Sequence, residues 1–281
     1  MAIALTLLPG AWAQLGLLAM VIALGVPHGA LDGEVARPLL RPRFGIAWFA
    51  VFSLPYLTLF ALVLLCWRGA PLPTLAGFLL LSTLHFGEPE DGGRDSRWPV
   101  RLIAGGAPIA LPVLLQPDRT AHLLGVVAGV ALHRPPAWLL AGSIGWLGLL
   151  GATMAFRRSS LRPLMPLLPV LAALFLLLPP LAGFAAYFVG WHAPGHMRAL
   201  VADPRSAPRV RTHAAAWWRS LPVTALTLLI GSGLWFLYRG PVPDRLLQLT
   251  LQMLAALTVP HMLLERLMQR PSIVRRIIDA A

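Results

Sequence analysis

Five histidines stand where long apolar runs give way to short polar motifs: His28 in GVPHGALDGE, His85 in STLHFGEPED, His192 and His196 in YFVGWHAPGHMRAL, and His261 in TVPHMLLERL. An ionisable residue in such a run is costly to bury, and it marks a functional site by default. Neutral imidazole suits zinc, copper, iron and nickel, so a set of such residues points to a transition metal. His192 and His196 are four apart, which puts both on one face of a helix, a spacing that suits two ligands of one ion. Pro194 lies between them and removes a helical hydrogen bond, so a kink is expected there. The other three, His122, His133 and His213, lie near loops beside Arg or polar residues and read as solvated or interfacial.

The carboxylates Asp32, Glu34, Glu88, Glu90 and Asp91 each follow a candidate ligand by three to six residues. Asp32, Glu88 and Asp91 are candidates for orienting imidazoles from behind; Glu34 and Glu90 read as solvated loop charges. Phe86, Phe184, Tyr187, Phe188 and Trp191 flank the same motifs. Tyr and Trp belong routinely to membrane-interface belts, and the alternative is that these rings line an apolar substrate channel. The lone cysteine, Cys66, has no intrachain disulfide partner. Neutral histidines with open positions beside them would leave a ferrous ion able to bind dioxygen.

The elements that position these residues are membrane spans. The chain is 57% hydrophobic and 12% charged, with mean hydropathy +0.72, where a soluble domain carries about 25% charged residues. Apolar runs at 11–27, 44–67, 72–87, 101–116, 120–133, 137–156, 162–178, 180–198, 221–238 and 245–265 are long and continuous. They lack the alternation of a barrel strand. The fold class expected is therefore all-α: a polytopic membrane bundle of about eight to ten transmembrane helices, forming a single domain over residues 1–281. The N-terminal MAIALTLLPG has no basic stretch before its apolar run, so it reads as part of a first span rather than a cleavable signal.

The net charge is +12, and all 23 basic residues are Arg. In a soluble protein this balance would suggest nucleic acid. Here the arginines sit in short loops and read as membrane-flanking charge, which excludes nucleic acid as a partner. Clusters around Arg37, Arg94, Arg157, Arg205 and Arg270 follow the first, third, sixth, eighth and last runs. If all ten runs crossed, the first two clusters would oppose the last three, against the positive-inside rule. Removing the short run 120–133 repairs this. It predicts nine spans in the inner membrane, an outside N-terminus, a cytoplasmic C-terminus, and all five helix-end histidines toward the cytoplasmic side.

The motifs PHGALD at His28, LHFGEPED at His85, the YF–WH–H run through His196 and the late PH at His261 resemble the Brp/Blh family of bacterial and archaeal membrane β-carotene 15,15′-dioxygenases. The resemblance runs in order from about residue 20 to 266. It implies a non-haem Fe(II) held by His28, His85, His192 and His196, with His261 near the iron or on the substrate side. The implied reaction is cleavage of the central double bond of β-carotene by O2 to give two molecules of all-trans-retinal. The implied partners are the lipid bilayer and, downstream, a retinal-binding rhodopsin. On this reading Tyr187, Phe188 and Trp191 shape the channel and stabilise positive charge developing on the polyene.

Alternatives from other classes are an iron oxygenase or desaturase acting on another carotenoid or lipid, and a metal-binding membrane transporter. A di-iron desaturase needs several boxes with paired histidines, whereas this chain has no HH pair and one H-x-x-x-H. A transporter would string its histidines along a path, and here they share one depth.

Overall fold

The computed structural model describes residues 10–88, 97–203 and 206–268, which are helical with no strand. In chain order the helices are α1 (Gly10–Met20), α2 (Val26–Gly29), α3 (Asp32–Phe44), α4 (Trp48–Gly69), α5 (Pro71–Phe86), α6 (Trp98–Leu115), α7 (Pro117–Ala128), α8 (Ala137–Phe156), α9 (Leu167–Leu177), α10 (Pro180–Tyr187), α11 (Ala193–Ala202), α12 (His213–Leu234) and α13 (Val242–Met268).

Helix α4 shows why the bundle belongs in a bilayer. It is apolar along its 22 residues, yet only Phe60 and Trp67 are buried. Leu54, Leu57, Leu62 and Leu65 face outward. An apolar surface of that extent is stable only against lipid or a partner. Five stretches are long and apolar enough to cross a membrane, the first being the run Gly10–Gly69 that holds α1 to α4. A sixth is added if the pair Arg158–Leu164 and Leu167–Leu177, bent by 63°, is one span.

The eight to ten runs read from the sequence are thus met by fewer uninterrupted spans. The remaining runs form helices that are short or broken. Helix α5 has 16 residues. Helix α7 has 12, about 18 Å of helix against a hydrocarbon core of about 30 Å, in keeping with its omission from the span count. Helix α3 has no counterpart among the runs, because its three arginines and the prolines Pro38 and Pro42 hide it from an apolar scan. Helix α12 begins at His213, well before the run at 221–238.

Helix α13 packs against α4, α7 and α1. It is tied to α7 by Gln252, whose Nε2 donates to the Val127 carbonyl at 2.7 Å while its Oε1 accepts from Tyr238 at 2.8 Å. Helix α6 lies between α5 and α8. It approaches α5 so closely that a Cβ on Gly105 would lie 1.8 Å from the backbone oxygen of Thr83. Only glycine permits this contact, and it seats the end of α5 that carries His85.

Two π turns complete the frame, Val21–Gly25 between α1 and α2 and Phe188–His192 between α10 and α11. In each, the closing N–H reaches five residues back, Val26 to the Val21 carbonyl and Ala193 to the Phe188 carbonyl. Each is followed, one residue on, by a proline, Pro27 or Pro194. A proline ring clashes with the carbonyl four residues back, and a wide turn relieves that clash. The disruption expected at Pro194 therefore takes the form of a π turn, a feature frequent at functional sites. The two turns touch, and a Cβ on Gly25 would lie 2.3 Å from the Phe188 ring.

Candidate metal centre

The two π turns, the end of α5 and the last third of α13 bring five imidazoles into one cluster. Ring centroids are 4.8 Å apart for His85–His192, 5.2 Å for His85–His261 and for His196–His261, and 5.5 Å for His28–His192 and His28–His196. His28, His85, His192 and His261 are buried. The five rings thus lie together in the fold.

Ligand nitrogens of His28, His85 and His192 face one another, while His196 belongs to neither group of converging ligand atoms. Nε2 of His192 and Nε2 of His85 are 3.1 Å apart. Metal–nitrogen bonds of about 2.1 Å put neighbouring ligand atoms roughly 3.0 to 3.4 Å apart. Ligand atoms of His28, His85 and His192 all lie within 4.8 Å of one another. His28 directs Nδ1 at the Gly25 carbonyl oxygen. That contact places the ring proton on Nδ1 and leaves Nε2 with its lone pair free. His261 is set in the same way, its Nδ1–H donating to Asp32 Oδ1 at 2.7 Å. Asp32 Oδ2 accepts from the Tyr56 hydroxyl at 2.9 Å.

A second carboxylate completes the cluster. Glu265, one turn beyond His261 on α13, faces Nδ1 of His196 at 3.5 Å, Nε2 of His261 at 3.6 Å and Nδ1 of His85 at 3.7 Å. His85, His261 and Glu265 form a second group of ligand atoms within 4.8 Å. His85 Nδ1, His261 Nε2 and Glu265 Oε2 are buried without a hydrogen-bond partner. Buried polar atoms are nearly always paired, so converging orphans fit a missing ion or proton. The donor set, imidazole with a carboxylate, suits a first-row transition metal. Sequence reasoning missed Glu265, although its spacing of four from His261 is the signal that finds it.

Of the other site residues named above, Asp32 accepts from His261. Glu88 pairs through its carboxylate with Arg101 at 3.4 Å. Asp91 and Glu90 lie outside the described residues. Glu34, read as a solvated charge, lies between Arg209 at 3.4 Å and Arg219 at 3.5 Å. His122, His133 and His213 are exposed.

The centre opens on an apolar cavity of ≈ 260 Å³ whose lining includes His28, His85 and His261. Phe86, Phe184 and Phe188 line it; Tyr187 and Trp191 are not among its lining residues. Tyr187 is buried against Phe86, with ring centroids 5.4 Å apart. Trp191 is 43% exposed on the outside of the π turn. Of the three aromatics assigned to the channel, Phe188 alone is there. Its ring stands 5.5 Å from that of His28 and 5.6 Å from that of His192.

A family model described as β-carotene 15,15′-dioxygenase matches residues 19–269. The chain is 29% identical to a β-carotene 15,15′-dioxygenase of uncultured marine bacterium 66A03, over 90% of this chain and 93% of the relative. It is 27% identical to a probable β-carotene 15,15′-dioxygenase of Halobacterium salinarum, over 90% of this chain and 84% of the relative. No solved structure matches.

Proposed function

This chain belongs to the β-carotene 15,15′-dioxygenase family, and on that premise we propose that it cleaves the central double bond of β-carotene with O2 to give two molecules of all-trans-retinal at a non-haem ferrous ion. His28, His85, His192 and His196 hold the ion, and His261 stands beside it. The observation that carries this reading is the meeting of buried His28, His85 and His192, drawn from three separate helical segments, with ligand atoms within 4.8 Å.

The bound ion supplies dioxygen activation, chemistry that no side chain here provides. The chain's own residues do the rest. The Gly25 carbonyl holds the His28 proton on Nδ1, and Asp32 does the same for His261. Glu265, facing Nδ1 of His85 and His196, favours the tautomer in which both present Nε2 to the ion. Phe86 and Phe188 press on His192 and keep water from the apolar cavity beside it.

A two-ion centre is the second reading, favoured by the two overlapping groups that share His85. His85 Nε2 serves one group and Nδ1 the other. Iron content of the purified protein separates them: one ion per chain for the first, two for the second.

The protein works as a multi-pass enzyme of the inner membrane, N-terminus outside and C-terminus cytoplasmic, as its arginine clusters support. Its retinal product would supply a retinal-binding rhodopsin. The test is expression in a β-carotene-accumulating bacterial host, with retinal and residual β-carotene quantified by chromatography beside a His28→Ala control. Retinal from the native chain alone is the expected result. Asymmetric apocarotenals would change the bond cleaved, and unchanged β-carotene with a folded, iron-loaded protein would sink the activity.

A further inference from the structure

The cavity at the histidines is lined from two sides of α13. On one side stand Phe49, Phe52 and Tyr56 of α4 with Leu226 and Ile230 of α12. On the other stand Phe78 of α5, Leu123 and Leu124 of α7, and Leu181 and Phe184 of α10. The second group packs within one hydrophobic cluster, and Ile230 of the first belongs to another. Met253 and Leu257 of α13 pack with Phe60 and Ile230, whereas Leu251 and Leu254 pack with Leu123, Leu124 and Phe184. Helix α13 contributes side chains to both clusters, and His28, His85 and His261 line the same cavity.

One side is open to lipid. Helices α4 and α12 both pack against α13 and scarcely against each other. Phe49, Leu57 and Leu226 line the cavity while remaining 42%, 41% and 43% exposed on the outer surface. They are therefore the rim of a mouth.

We propose that the crevice between α4 and α12 is a lateral portal through which a long apolar polyene enters from the bilayer and reaches the histidines. The class of the occupant rests on the activity proposed above; the position of the mouth does not. A hydrocarbon of this class dissolves in the bilayer core and gains nothing by crossing water, so an entrance facing lipid is the one it can use.

The test uses the full-length protein in phosphatidylcholine vesicles containing β-carotene and reads two quantities separately: carotenoid bound per chain, by its absorbance after re-isolation of the protein, and products. Leu226→Trp narrows the mouth without touching the centre. Leu229→Trp, on the same helix but outward-facing at 69% exposure, is the matched control. Expected are carotenoid loading slowed about tenfold in L226W by the added bulk, loading in L229W like that of the native chain, and native iron content in both. Equal loading in L226W and L229W would overturn the portal. If the native chain binds β-carotene and never cleaves it, the activity fails while the loading comparison still decides the portal.

Discussion

His261 and Asp32 lie 229 positions apart in the chain and 2.7 Å apart in the fold, the imidazole Nδ1–H donating to the carboxylate. The same carboxylate accepts from the Tyr56 hydroxyl. Two donors thus converge on one anion, fixing the tautomer of the imidazole and joining α3, α4 and α13 at the floor of the centre.

Asp32→Ala is expected to lower iron affinity by about 10- to 100-fold, the usual effect of losing a carboxylate behind a metal-site histidine. Iron retained after dialysis against a graded chelator measures it. Tyr56→Phe removes one of the two donors and is expected to fall between the variant and the native chain. Native iron retention in D32A would show that Asp32 supports only the fold.

Glu265→Gln keeps the shape and removes the charge facing three imidazoles. Weaker iron retention is expected, about tenfold or more, with little change in thermal midpoint. Should the native protein hold two ions per chain, this variant is expected to hold one. Unchanged iron in E265Q would remove Glu265 from the centre.

Gly105→Ala places a methyl group 1.8 Å from the Thr83 carbonyl, a clash with backbone that no rotamer relieves. Destabilisation of about 1–3 kcal/mol is expected, together with iron loss, because the end of α5 that carries His85 must move. Gly77→Ala on the facing helix α5 meets nothing within 4 Å and is the control. Equal thermal midpoints for the two variants would contradict the close α5–α6 contact.

Phe188→Leu and Trp191→Leu separate the channel from its surroundings. Phe188 lines the cavity, so F188L is expected to change rate or product ratio. Trp191 faces outward, so W191L is expected to cleave as the native chain does. The reverse pattern would mean that the cavity beside Phe188 is not the substrate's.

The histidines were legible because an ionisable residue stands out against an apolar background, and because helix ends are marked by loops. Glu265 was not, since a glutamate beside Arg266 near a helix end reads as ordinary terminal charge. Helix α3 was hidden by its prolines and arginines. The π turns were invisible because backbone hydrogen bonding five residues back has no composition of its own; only the prolines that follow them hinted at a break.

Composition and pattern by themselves determined that this chain is a helical membrane bundle with five histidines at the ends of its apolar runs, because the energy of burying polar groups in hydrocarbon limits where such residues stand. The tertiary structure alone decided which nitrogens face each other, that Asp32 and Glu265 stand behind the imidazoles while Glu88 turns to Arg101, and that Phe188 rather than Trp191 meets the cavity. Those outcomes depend on helix rotation and close approach at Gly25 and Gly105. A rotation of one residue, about 100°, exchanges an inward side chain for an outward one without changing a single letter of the pattern.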